Sequence, residues 1–228
     1  MSEEIQALSI VNTWIKAITS PNEEAYQQIA RNPGASFGKS ALWIFVAGMV
    51  VGGISGVVNY IRHSIFGSTD MGFLGEYGEY FQDLPIFQPS LIGVITGIPL
   101  YGIVSLVAAL IVVGLIYFVS RALGGVGSYE MLFNTTAAYQ VPVSVITAVV
   151  SAIPVVGCLS IFVGIYGIVL GVIANKVVMG YDMGKAVVAS VVIPIVIAAI
   201  FFGCVFVILG AAVGAVYQDL INGMNSMP

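Results

Sequence analysis

A helix needs about 20 apolar residues in a row to cross the hydrocarbon core of a bilayer. Five stretches of this chain meet that requirement: roughly Lys39 to Tyr60, Ser90 to Ser120, Tyr129 to Ile153, Val155 to Val178 and Lys185 to Val216. Lipid offers no hydrogen bonds, so each stretch must satisfy its own backbone groups, and a helix does that within one segment. The composition points the same way: 59% of the 228 residues are hydrophobic and 8% are charged. An ordinary soluble domain carries about 25% charged residues to cover its surface. The expected fold is an all-α integral membrane protein, five transmembrane helices in one bundle with a cytoplasmic amphipathic helix at the N-terminus. The second and fifth stretches exceed a minimal span and must tilt, kink at Pro99 or Pro194, or project from the bilayer. The third and fourth, joined by "IPVVG", are expected to form a tight antiparallel hairpin.

Orientation follows from the basic residues of the short connections. With the N-terminus inside, Lys16, Arg31, Lys39, Arg121, Lys176 and Lys185 are cytoplasmic and only Arg62 lies outside. An odd number of spans then places the C-terminus on the outer side of the cell membrane. Residues 1–38 are expected to be a cytoplasmic amphipathic segment, 39–216 the five-span domain and 217–228 a short outer tail. In the first segment Ile5, Leu8, Val11, Ile15 and Ile18 recur at three- and four-residue steps beside Trp14. That pattern reads either as a helix lying on the membrane face or as one packed on the protein's own inner loops. "SPNEE" ends it and starts a second short helix with Pro21 at the first position. No basic region and apolar core of a cleaved signal precede the first span, which is expected to serve as the insertion signal.

Between helices in lipid no hydrophobic force acts, so backbones must approach through small residues. Gly48, Gly52 and Gly56 repeat at four-residue spacing in the first span, as do Gly93 and Gly97 in the second and Gly210 and Gly214 in the fifth. Gly164, Gly167 and Gly171 belong to a heptad-like stripe of small residues in the fourth. These are candidate packing positions. Cys158 and Cys204, both inside apolar runs, are expected to be small packing residues.

The third span is different. "GGVGSYE" opens it, then "NTTAAYQVPVS" brings Asn134, Thr136, Tyr139, Gln140, Pro142 and Ser144, with Thr147 and Ser151 following. At 100° per residue, Thr136, Gln140, Ser144, Thr147 and Ser151 fall within an arc of about 80°. Gln140 is costly against lipid, so this face should turn to the bundle interior, where Pro142 also frees the carbonyl of Ala138. Either the face bonds neighbouring helices or it lines a path for a solute. The absence of any acidic or basic residue in the middle of a span favours the first. A Walker-type phosphate loop is excluded, because the glycine cluster lacks its lysine and follows no strand. Gly124, Gly125 and Gly127 read instead as an inside turn, with Ser128 capping the next helix and Glu130 in its first turn.

Taken together, the five spans, the "GGVGSYE" entry, "AYQVP", the "IPVVG" turn and "IYGIVLGVIANKVVMGYDMGKAVVAS" resemble the Yip family of multi-span membrane proteins. The likeness is to its prokaryotic branch and runs from about Ser20 to Pro194. Tyr139 and Pro142 match the family's Tyr and Pro in the third span. The resemblance implies a location in the bilayer and, from the eukaryotic members, an adaptor that binds other membrane proteins or a small GTPase. This chain lacks the Asp-Leu-Tyr-Gly-Pro motif that those members carry before the first span. Its "DLPIFQP", Asp83 to Pro89, comes after that span.

The function expected is therefore that of a non-catalytic protein organising membrane or partner proteins; the alternative is a small-solute transporter or channel component using the polar face of the third span. A membrane enzyme is disfavoured: His63 is the only histidine, so neither a His pair for a metal nor a Ser-His-Asp set can be built. Asp70, Glu76, Glu79 and Asp83 of the outer loop fit no calcium-loop spacing. No catalytic, cofactor-binding or metal-ligating residue is assigned. Without a basic patch, no nucleic acid partner is expected.

Overall fold

The computed structural model describes residues 8–66, 90–153, 155–197, 199–200, 202–204 and 207. The outer-loop carboxylates, "DLPIFQP", Glu3, Glu4, Ile5, Gly210, Gly214 and the C-terminal tail lie outside the described residues. Two short helices, α1 (Ile10–Thr19) and α2 (Glu23–Ala30), precede α3 (Phe37–Phe66), α4 (Leu91–Ala122), α5 (Tyr129–Ala152) and α6 (Ser160–Met179). A 3-10 turn, Val156–Leu159, leads into α6, and α7 (Met183–Val187) runs on through a π-helical turn, Val188–Val192. Among the described residues no strand occurs, and five helices are long and apolar enough to cross a membrane. They are Phe37–Ile65, Leu91–Ala122, Tyr129–Ala152, Val156–Met179 and Met183–Cys204, the first to fifth spans.

Caps fix where these helices begin. Ser90, Ser128 and Asp182 each accept a backbone N–H of the first turn, from Gly93, Met131 and Lys185, satisfying donors that the helix cannot. Asn22 does the same for α2 through Ala25, so Pro21 lies before the cap and not at the first helical position. Ser9 caps α1, which leaves Leu8 ahead of the helix. The first helix outruns the apolar text that ends at Tyr60, because a helix need not stop where the hydrocarbon does; Ser64 still bonds back to the Tyr60 carbonyl at 2.8 Å. The third ends at Ala152, since Ile153 precedes Pro154 and takes an extended conformation. Fully exposed in the following turn, Val155 has φ 71°, a strained setting for a β-branched residue.

The most extensive pairing joins the first and second spans. A Cβ built on Gly48 would lie 2.6 Å from Ser105 Cβ and 3.0 Å from Gly102 Cα, one on Gly52 would enter the Tyr101 ring, and one on Gly56 would press on Val94. Gly93 and Gly97 do not join this seam: Gly93 meets only its own Ser90 cap, and a Cβ on Gly97 meets nothing within 4 Å. The second span offers Gly102, Tyr101 and Val94 instead, because its Gly93–Gly97 stripe lies on another face. The third span packs on the first through Ile44, Ala47, Leu132, Phe133, Ala137 and Val141. Phe37, Tyr129, Phe133 and Tyr117 form an aromatic cluster at one end, with Phe37 and Phe133 centroids 4.7 Å apart. At the other end Arg62 donates to the Ser151 carbonyl at 3.4 Å.

The two short helices fold into a hairpin against the third and fourth spans. Ala17, Ala25, Tyr26 and Ile29 are buried. Tyr26 packs with Leu170, Ile173 and Ala174, and its hydroxyl donates to the Ala17 carbonyl at 3.1 Å. Burial, reinforced by neighbouring Tyr139 and Tyr166, pushes the Tyr26 phenol far above the usual tyrosine range. Tyr166 of the fourth span donates to the Ile18 carbonyl, Lys176 pairs with Glu23, and Trp14 meets Trp43 edge-on at 5.1 Å.

Two predictions follow from this packing. Gly52→Val should lower stability in detergent micelles by about 1–3 kcal/mol, since the Tyr101 ring must move, whereas Gly97→Ala should leave it unchanged or raise it by up to about 1 kcal/mol. Equal losses at the two positions, read by thermal unfolding, would contradict the seam. Tyr26→Ala should cost about 3–5 kcal/mol by opening a cavity beside Leu170, and Tyr26→Phe only about 1 kcal/mol for the lost hydroxyl bond.

Candidate functional site

Gln140 has a long polar side chain in the middle of an apolar helix, and its surroundings decide what the third span can do. With Thr136, Tyr139 and Ser144 it lines a cavity of about 310 Å³ between the second, third and fourth spans. Val112, Val113 and Ile116 of the second span and Gly164, Gly167 and Gly171 of the fourth form other parts of the wall. The amide of Gln140 has no hydrogen-bond partner among the described residues. Nearby hydroxyls are already engaged with their own helix: Ser144 donates to the Val141 carbonyl at 2.9 Å, Thr147 to Val143 at 2.8 Å and Ser151 to Thr147 at 2.7 Å. None of these three bonds a neighbouring span. Such back-bonds satisfy the hydroxyl proton without a tertiary partner.

The remaining positions divide between packing and the hairpin. Tyr139 rests against the glycine stripe, since a Cβ on Gly171 would lie 2.7 Å from its hydroxyl oxygen, and one on Gly167 would touch Val143 at 3.0 Å. Gly164 differs: a Cβ there meets nothing within 4 Å. Pro142 lies inside the third helix one residue after buried Val141. Asn134 points to the other side, lining a cavity of about 60 Å³ with Trp14, Asn32, Ser40 and Trp43. Its Oδ1 is buried without a hydrogen-bond partner among the described residues. The polar residues of the third span thus serve two sites on opposite faces.

A second polar group was not singled out by the sequence. Tyr181 donates to Ser120 Oγ at 2.8 Å, Ser120 to Asn175 Oδ1 at 3.1 Å, and Asn175 Nδ2 to Ser190 Oγ at 2.7 Å. This chain of bonds ties the second, fourth and fifth spans at the hairpin end of the cavity, with Ser120 fully buried and Asn175 1% exposed. Ser190 lies in the π-helical turn of the fifth span, an irregularity common where a helix presents side chains to a site. Desolvation raises the phenol of Tyr181 above its ordinary range, against the opposing pull of its bonds to Ser120 and Asn175, so it stays a neutral donor. The sequence did carry a signal: Asn175 is an amide within an apolar fourth span, as Gln140 is within the third.

At the connections, Gly124 takes φ 94°, Arg121 donates to the Gly125 carbonyl at 3.1 Å, and the Val126 N–H reaches the Met179 carbonyl at 3.0 Å. A Cβ on Gly127 would enter the Val178 carbonyl, so the turn needs glycine there. Cys158 and Cys204, read from sequence as packing residues, are both exposed. Cys158 falls in the 3-10 turn ahead of the fourth helix, outside the packed interior. His63 stands alone at the end of the first helix, its Nδ1 buried without a partner among the described residues.

The Yip1 domain family model matches residues 15–217 of the chain. No curated protein and no solved structure matches it. The match takes in the second half of α1, the docked α2 and the spans that surround the cavity. With five helices among the described residues long and apolar enough to cross a membrane, and with this match over most of its length, the chain is an integral, multi-pass membrane protein that belongs to the Yip family.

Proposed function

We propose that this protein is a non-catalytic scaffold of the cell membrane that holds partner membrane proteins at the hairpin end of its bundle. The observation that carries the reading is the docking of α1 and α2 on the third and fourth spans. Tyr26, the Tyr166–Ile18 bond and the Lys176–Glu23 pair hold the hairpin, while Val11 and Ile15, exposed by 58% and 52%, face outward. A rigid element with an apolar outer face suits docking, because little conformational entropy is lost when a partner binds it. Lys176, which pairs with Glu23, also ties the last turn of the fourth span to α2. The family is one of non-enzymatic membrane proteins, and the lone His63 offers no pair for acid–base or metal chemistry. A small GTPase is the other partner class that family resemblance implies. The missing Asp-Leu-Tyr-Gly-Pro motif argues for a membrane protein instead.

The Lys and Arg distribution supports an N-terminus in the cytoplasm and a C-terminus outside. A solute path along the third span is the competing reading, and the polar cavity speaks for it. Against it, the Ser120–Asn175–Ser190 bonds cross the hairpin end of that cavity, and no charged side chain lines it.

Two measurements test the proposal. In intact cells a membrane-impermeant maleimide should label the native Cys158, while Glu24→Cys in a Cys158→Ala, Cys204→Ala background should react only after permeabilisation. The reverse pattern would overturn the orientation. In affinity purification from membranes, a stoichiometric membrane-protein partner should be recovered with the native chain and reduced about tenfold or more by Val11→Asp with Ile15→Asp, an effect of the size that loss of apolar anchors produces. Recovery of the chain alone, or a partner indifferent to both substitutions, would sink the scaffold reading.

A further inference from the structure

We propose that the cavity beside Gln140 binds an uncharged glycerolipid, its glycerol hydroxyls and ester carbonyl on the third span and its acyl chain along the second. The inference goes beyond the scaffold reading and does not depend on it. The cavity, about 310 Å³, falls within the range of ligand pockets, about 300 to 1,000 Å³. Its lining is two-faced. Thr136, Gln140 and Ser144 of the third span supply hydrogen-bonding groups on one side, and Val112, Val113 and Ile116 an apolar wall on the other. An ion or an ionised headgroup leaving water would find no opposite charge there, which disfavours carboxylates, phosphates and amines. A neutral molecule with an apolar body and a few hydroxyl or carbonyl groups meets every wall.

Three details sharpen the choice. Gln140 lines the cavity with no hydrogen-bond partner among the described residues, and its amide offers two donors and an acceptor, a match for an ester carbonyl beside a hydroxyl. Ser144 has given its proton to Val141 and retains only acceptor capacity, so it calls for a ligand hydroxyl. A Cβ on Gly164 would meet nothing within 4 Å, so this glycine borders open space and does not serve a helix contact. The rail from Thr136 to Ser144 runs about 12 Å along the helix axis, close to the depth of one leaflet, about 15 Å. The shape therefore suits a lipid taken from the bilayer more than a compact solute, and the Ser120–Asn175–Ser190 bonds span the hairpin end.

The full chain, reconstituted in phosphatidylcholine vesicles, would be irradiated with a monoacylglycerol carrying a diazirine in its chain, and adducts mapped by mass spectrometry. The proposal predicts adducts concentrated on Val112 to Ile116 and Gly164 to Ile168, displaced by unlabelled monoacylglycerol and not by an ionised fatty acid. Gln140→Leu should reduce labelling about five- to tenfold, the size of one lost hydrogen-bonding group, and Gly164→Phe, which fills the space, at least as much. Gly97→Phe, whose Cβ also meets nothing within 4 Å but which lies outside the cavity, should leave labelling intact. Adducts spread evenly over surface residues such as Val50 and Phe162, displacement by the fatty acid as strong as by monoacylglycerol, or equal loss with Gly97→Phe and Gly164→Phe would each overturn the proposal.

Discussion

Inside hydrocarbon nothing squeezes two helices together as water does, and the close approach of backbones must supply the attraction. Here that approach is made at Gly48, Gly52 and Gly56 against the second span, and at Gly167 and Gly171 against the third. The two seams lie on different helix pairs, and between them the second and fourth spans diverge from their contact near Ser120 and Asn175. The cavity beside Gln140 is the space this divergence leaves. A bundle held together by bulky apolar side chains would have no reason to be tight along two lines and open along a third.

The second constraint is that a polar group in lipid is costly unless it finds a hydrogen-bond partner. The third span meets it by turning Ser144, Thr147 and Ser151 back onto their own carbonyls. Asn175 meets it through Ser120 and Ser190 on two other spans, at a place where the fifth helix widens into a π turn. The hairpin obeys the same rule at the rim: Tyr166 finds the Ile18 carbonyl and Tyr26 that of Ala17. Each such bond has one geometry that satisfies it, and this fixes the register of elements that apolar packing alone would leave free to slide.

Much of the fold was legible because the bilayer simplifies the code: span length and the scarcity of charge suffice to find five helices, and Ser128 after its glycines announces a cap. What stayed hidden depends on which faces meet. Spacing alone gives Gly93 and Gly97 the same standing as Gly48 and Gly52, and only the assembled bundle shows that Gly97 faces open space. The apolar stripe of the first segment fits a membrane face and a protein face equally well, so its docking through Ala17, Tyr26 and Trp14 could not be read from it. Gln140 and Asn134 both stand out as amides in a span, yet the six-residue interval carries them to different cavities. Asn175 stands next to Lys176, so from spacing alone it fits the polar end of a span as well as a bonded interior.

The N-terminal hairpin and the membrane spans fold as one body, joined by Tyr26, the Tyr166–Ile18 bond and the Lys176–Glu23 pair. Hydrogen–deuterium exchange of the full chain in lipid nanodiscs tests this directly. Amides of α2 around Tyr26 and Ile29 should exchange as slowly as those at the hairpin end of the fourth span, with protection that falls when Tyr26 is replaced by alanine. Exchange of α2 within seconds, as in an unattached tail, while the spans stay protected, would contradict it.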